Sequence, residues 1–158
     1  RMWAEKLGLD GFQEGDGGLV SELTSVMQMT ETDMTILFRT LSTIQEPDSN
    51  HLTGAFYKEE EIPQNEWNSW LARWWGRVDG RPDRDSMLNS NPKYVLRNWM
   101  SQLAIDAAEK GDYSVATALY EMLKKPYDEQ PGNEEKWFSR RPEWARNRVG
   151  CSMLSCSS

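Results

Sequence analysis

Trp67, Trp70, Leu71, Trp74 and Val78 fall at offsets 0, 3, 4, 7 and 11. Steps of three and four residues return side chains to one face of an α-helix. The stretch therefore predicts a helix with one side made almost wholly of indole. A chain carrying such a face must cover it, which favours helix-on-helix packing over a sheet. At this spacing the tryptophans read as core rather than as a platform for stacking bases. Arg73 and Arg77 lie off the stripe, four residues apart, and are expected to face water. Gly80 and Pro82 end the helix.

Other segments repeat the helical pattern. Arg1 to Leu7 reads as helix at once, with no cap before it, so the chain is expected to be the C-terminal part of something longer. Gly8 to Gly18 holds five glycines and three acids and reads as a loop. Leu19, Val20, Leu23, Val26 and Met27 predict a helix over 19–29. Thr30 with Asp33 resembles a capping pair, followed by Met34, Leu37, Phe38, Leu41 and Ile44 on a helix that stops before Pro47. Residues 46–63 read as a second loop. Asn91-Pro92 predicts a helix start, with Leu96, Trp99, Met100, Leu103, Ala104 and Ala107 buried. Gly111 stops that helix, and Asp112 or Ser114 caps the next, which carries Leu119, Tyr120 and Leu123 and ends before Pro126. So short a link predicts an antiparallel αα-hairpin. Beyond Pro126 the chain reads as irregular, with one short helical stretch near Glu143–Arg146. No alternating strand of useful length is visible, so the fold class is mainly α.

Composition narrows the function. Eighteen Lys and Arg against twenty-five Asp and Glu give a net charge of −7, the wrong sign for a nucleic-acid partner. The imbalance is local: residues 1–66 carry four basic and thirteen acidic side chains, and residues 67–158 carry fourteen and twelve. It reads first as a solvated acidic surface, and second as attraction between the two halves. No apolar run exceeds three residues, so neither a membrane span nor a signal-peptide core is expected. Two cysteines and no N-x-S/T acceptor suit an intracellular setting.

Familiar chemistries lack their parts. Gly15 to Gly18 is glycine-rich but has no lysine and acidic flanks, so it is a poor phosphate cradle. Asp10 to Ser21 fails as a calcium loop, with Phe12 at its third position and Ser21 at its twelfth. His51, the single histidine, follows Asp48-Ser49-Asn50 and reads as a solvated imidazole. Cys151 and Cys156 make half a zinc site at most. Cys156, third from the end of the given sequence, can reach a partner across a surface; its reactivity depends on its environment, and an inert thiol is the other reading.

Several segments in order resemble the C-terminal region of the selenoprotein O (SelO) family of protein adenylyltransferases. They are Asn91-Pro92-Lys93-Tyr94 with Leu96-Arg97-Asn98, Gly111-Asp112-Tyr113, Pro126 to Pro131 (PYDEQP), Pro142-Glu143-Trp144-Ala145 and Ser155-Cys156-Ser157-Ser158. Trp3 through Leu9 and Asp33 through Leu41 fit more loosely. The resemblance implies a protein-kinase-like (pseudokinase-like) fold that binds ATP with magnesium and transfers AMP to Ser, Thr or Tyr hydroxyls of proteins. It implies that residues 1–125 are the helical C-terminal part of that fold, and that 126–158 is an irregular tail carrying the terminal cysteine. The glycine-rich loop, lysine and metal carboxylates that such chemistry needs have no counterpart here. Catalytic, cofactor and metal residues are therefore expected upstream, none in this chain, and the fragment alone is expected to be inactive. Cys156 is carried over as a redox position, able to pair with a cysteine of the kinase-like activation segment. The expected partners are the catalytic lobe of the same parent chain and the modified proteins. The expected compartment is a mitochondrion or plastid in a eukaryote and the cytoplasm in a bacterium. The reading from another class is a free-standing α-helical interaction module whose Trp face binds a protein.

Overall fold

The computed structural model describes residues 1–149, and their regular structure is almost wholly helical. An isolated antiparallel bridge between Thr32 and Phe56 is the one β pairing among them. Two units divide at Asn91/Pro92.

The first unit holds α1 (Met2–Leu7), α2 (Asp16–Met27), α3 (Met34–Leu41), α4 (Gln64–Arg77) and α5 (Arg84–Ser90), with 3-10 turns at Ser49–Ala55 and Glu59–Glu61. The tryptophan helix forms as its spacing predicts. Trp67, Trp70, Leu71 and Trp74 are each at most 1% exposed. Their cover comes from the same unit: α2 packs along α4, and the Ser49–Ala55 turn touches it as well. The Trp70 indole N–H donates to Leu19 O and that of Trp74 to Leu7 O, both at 2.8 Å. The indole face is thus spent internally, and is not free for an upstream lobe or a separate protein.

Local chemistry moves several boundaries from their sequence positions. α2 begins at Asp16, three residues early, so Gly17 and Gly18 are helical. The cap of α3 is Asp33, whose side chain accepts from Ile36 N at 3.0 Å; Thr30 does not fill that role. α3 ends at Leu41, so Ile44 is buried from a loop, while Met34 faces outward and Ile36 faces in. α5 has no counterpart in the sequence reading. Asp83 caps it through Ser86 N at 3.1 Å. Asn91 closes α5 instead of starting a helix. Its buried side-chain amide donates to Lys6 O at 3.0 Å and Ser42 Oγ at 3.3 Å, so it serves tertiary partners rather than a downstream turn.

The second unit runs from Pro92 and holds α6 (Asn98–Glu109), α7 (Ser114–Leu123), α8 (Pro131–Trp137) and a 3-10 turn at Glu143–Ala145. α6 and α7 form the expected hairpin. Gly111 turns the chain at φ 82°, and Asp112 accepts from Ser114 N at 2.9 Å. Tyr94, Trp99, Met100, Leu119, Met122, Trp137 and Ala145 make the core, with the Trp99 and Trp137 rings stacked 5.8 Å apart. Leu96 and Tyr120, expected inside, are exposed. The segment after Pro126 is not irregular throughout. Pro131 sits in the first turn of α8, where its missing N–H costs nothing.

Candidate functional site

The cysteines singled out from the sequence, Cys156 as the redox position and Cys151 beside it, lie outside the described residues. His51 is on the surface, and its Nε2 lies 2.8 Å from Glu46 Oε1. Asp48 completes a group whose ligand atoms all fall within 4.8 Å of one another. The imidazole thus meets a carboxylate rather than a nucleophilic hydroxyl. Asp48 also accepts from Asn50 N at 2.9 Å, which holds the turn.

A charge centre missed by the sequence reading joins the glycine-rich loop to α4. Asp16 Oδ1 lies 2.9 Å from Arg77 Nε and its Oδ2 lies 3.1 Å from Arg77 Nη2. Asp16 also accepts from Gln13 N at 2.8 Å. Arg77 reaches Asp10 at 3.0 Å and Gly11 O at 2.9 Å. The side chains of Asp16 and Arg77 are 4% and 19% exposed, so Arg77 is not the solvent-facing residue its off-stripe position predicted. The hydrogen bond from Arg77 holds the Asp16 carboxyl below the usual carboxylate range, against the pull of burial. The same bond raises Arg77.

Asp16 stands in the first turn of α2, where the helix dipole favours a negative charge.

The pairs Asp16–Arg77 and Glu22–Arg73 set α2 antiparallel to α4. Past the second pair the two helices border a groove of about 400 Å3, lined by Val26, Met29 and Trp70 and edged by Glu66 and Ser69. Val26 and Trp70 are buried, whereas Met29 is 54% exposed. Met29 lies two residues beyond the end of α2 and outside the apolar period read for that helix.

In the second unit, two segments that carry the family resemblance meet. Lys93 and Tyr94 both donate their backbone N–H to Pro126 O, at 2.9 and 3.1 Å. Lys93 Nζ bonds Glu129 at 2.6 Å and Glu134 at 2.7 Å, with its side chain 4% exposed. Tyr94 OH lies 2.7 Å from Glu129 O. Burial pulls the Lys93 ammonium down, but the two carboxylates outweigh it and leave its pKa raised. Gln130, at φ 42°, donates from its side-chain amide to Met122 O and Lys125 O at 2.9 and 2.7 Å. Lys93-Tyr94 and the PYDEQP segment are therefore two sides of one joint, with Lys93 and Tyr94 both directed at Glu129.

Comparison with known proteins agrees with these motifs. The family model described as "Protein adenylyltransferase SelO" matches residues 1–124. Proteins named "Protein nucleotidyltransferase YdiU" are similar over nearly all of this chain. The one from Flavobacterium johnsoniae is 48% identical over 170 residues, covering 99% of this chain and 32% of its own length. The one from Aromatoleum aromaticum is 46% identical, covering 100% and 32%, and that from Rhodopirellula baltica 45%, covering 99% and 33%. The chain spans about a third of the length of the curated relatives it matches.

Proposed function

Because this chain belongs to the SelO family of protein adenylyltransferases, we propose that it is the C-terminal helical part of an enzyme that moves AMP from ATP onto Ser, Thr or Tyr hydroxyls of proteins. The observation that carries the reading is the match of nearly the whole chain to one third of nucleotidyltransferase relatives. In this reading a kinase-like lobe upstream holds ATP and magnesium and does the chemistry. The chain itself braces that lobe. Its buried charges, Asp16 with Arg77 and Lys93 with two glutamates, serve as fixed joints rather than as reacting groups. The compartment follows the host: cytoplasm in a bacterium, mitochondrion or plastid in a eukaryote. The alternative of a free-standing module binding through its Trp face draws no support from residues that are at most 1% exposed.

The test uses ATP labelled at its α-phosphate with magnesium. The full-length parent is expected to label protein, and the 158-residue chain alone is not. Transfer of label by the isolated chain would overturn the assignment of catalysis to upstream residues.

Cys156 is proposed as a redox latch. Oxidation would join it to an upstream cysteine of the activation segment, the two thiols giving two protons and two electrons to a disulfide oxidant such as oxidised glutathione. Mass spectrometry of a non-reducing digest of the oxidised parent checks this. The latch fails if Cys156 is found only reduced, or only bonded to Cys151.

A further inference from the structure

We propose that the groove between α2 and α4 docks a helical segment of a partner protein that offers an apolar anchor followed by basic side chains. The inference does not rest on the AMP-transfer reading. It starts from the apolar lining. Val26 and Trp70 are committed to the core, while Met29 stands half out of it over a groove of about 400 Å3. A flexible thioether at the edge of an apolar groove between two helices is the kind of surface that accepts one face of a third helix.

Charge selects the occupant. At one end Glu22 is neutralised by Arg73. At the other end Glu66 has no cationic partner among the described residues. The antiparallel pairing of the helices brings Met29 to that same end. There Thr30, next in the chain, donates from Oγ1 to Glu61 at 3.3 Å, which draws the acidic turn Glu59–Glu61 alongside. Lys58 answers Glu61 at 3.1 Å, leaving Glu59 and Glu60 exposed. The surrounding unit, residues 1–91, holds sixteen Asp and Glu against eight Lys and Arg. The groove is thus apolar in its lining, neutral at one end and anionic at the other. An acidic helix would meet repulsion there, and a basic one would be steered in with a defined direction.

The experiment titrates the full 158-residue chain with a fluorescein-labelled synthetic peptide of about 14 residues, near the length that begins to hold helix in water. The peptide places Leu at i, i+3 and i+7 and Lys at its C-terminal end. One control replaces Lys by Glu, and another replaces Leu by Ser. Anisotropy should show saturable binding of the Leu/Lys peptide alone, with amide shifts confined to residues 22–29 and 65–73. Ser69→Arg, an exposed position on the groove edge, should weaken binding by about tenfold or more. Glu66→Lys should weaken it by about three- to tenfold, a difference that shrinks as salt screens the charge. Four results overturn the proposal: no saturable binding up to about 1 mM, equal binding of the Glu peptide, amide shifts elsewhere only, or unchanged affinity in Ser69→Arg. Sedimentation supplies one more. Self-association that Ser69→Arg abolishes would make a second copy of the chain the occupant, and the proposal would fall.

Discussion

Replacing Trp74 by alanine tests the claim that the indole face is covered from within. Trp74 is fully buried, stacked on Trp70 with ring centroids 5.8 Å apart and planes 7° from parallel, and edge-on to Trp75 at 5.6 Å. Large aromatic-to-alanine changes in a packed core cost about 3–5 kcal/mol. The truncation also strands Leu7 O, the last carbonyl of α1, which the indole N–H satisfies at 2.8 Å. An unpaired buried acceptor costs about 1–3 kcal/mol. The two contributions overlap, so the expected loss is about 4–5 kcal/mol. Set against a usual total of about 5–15 kcal/mol, that is a large share of a domain's stability. Trp74→Phe keeps a ring but loses the donor, and should cost about 2 kcal/mol, mostly the stranded carbonyl. Trp144→Ala, at an exposed ring, is the control and should stay within about 0.5 kcal/mol. Urea unfolding with linear extrapolation gives the totals. Hydrogen exchange at α4 amides assigns the loss to the first unit. A loss below about 1 kcal/mol for Trp74→Ala would refute the reasoning, because a face covered only by other protein would behave that way.

Asp16→Asn should cost about 1–3 kcal/mol at neutral pH, since the amide keeps one acceptor oxygen, loses the charge, and turns an NH2 donor toward the donors of Arg77 or Gln13. A carboxyl with a lowered folded pKa adds stability above its unfolded value, near 3.9, and loses it as pH falls through the folded one. The gap between wild type and Asp16→Asn in urea should therefore close below about pH 4. Lys93 runs the other way. Its raised ammonium adds stability below about pH 10.4 and loses it as pH climbs through the folded value. The alkaline fall in urea midpoint should flatten in Lys93→Met. Gly8→Ala should lower Tm by more than the roughly 1–2 kcal/mol of a left-handed residue implies, because a Cβ there would stand 2.8 Å from Asp83 N.

What the sequence revealed depended on how local the cause was. The Trp67–Trp74 face was legible because its period and its burial have the same origin. The α6–α7 hairpin was legible because Gly111 and Asp112 act within their own turn. Asn91 misled because an Asn-Pro pair carries a local signal, while its side chain answers Lys6 and Ser42, 85 and 49 residues away. Gly17 and Gly18 became helical against their propensity because Asp16 is anchored by Arg77 across 61 residues. Arg77 itself lies only about 20° around the helix from Trp70 at 100° per residue, so a long side chain at the stripe's border turned inward. Pro131 was a missed local signal, a proline fit for a first helical turn read instead as a breaker. Of the groove, the helices were visible in advance. Their antiparallel alignment was not, because it is set by ion pairs between distant residues.

The two indole bonds also dictate an order of events during synthesis. Trp70 closes on Leu19 and Trp74 on Leu7, across 51 and 67 residues of chain. A ribosome adding about 5–20 residues per second needs about 3–13 seconds to make that span. Through that interval α1 and α2 have left the decoding centre with their apolar faces bare, waiting for a helix that does not yet exist. The nascent segment is open to chaperone capture or to misassociation with its neighbours on a polysome, and the arrival of Trp74 ends the exposure. Slower codons within 8–66 would lengthen the wait.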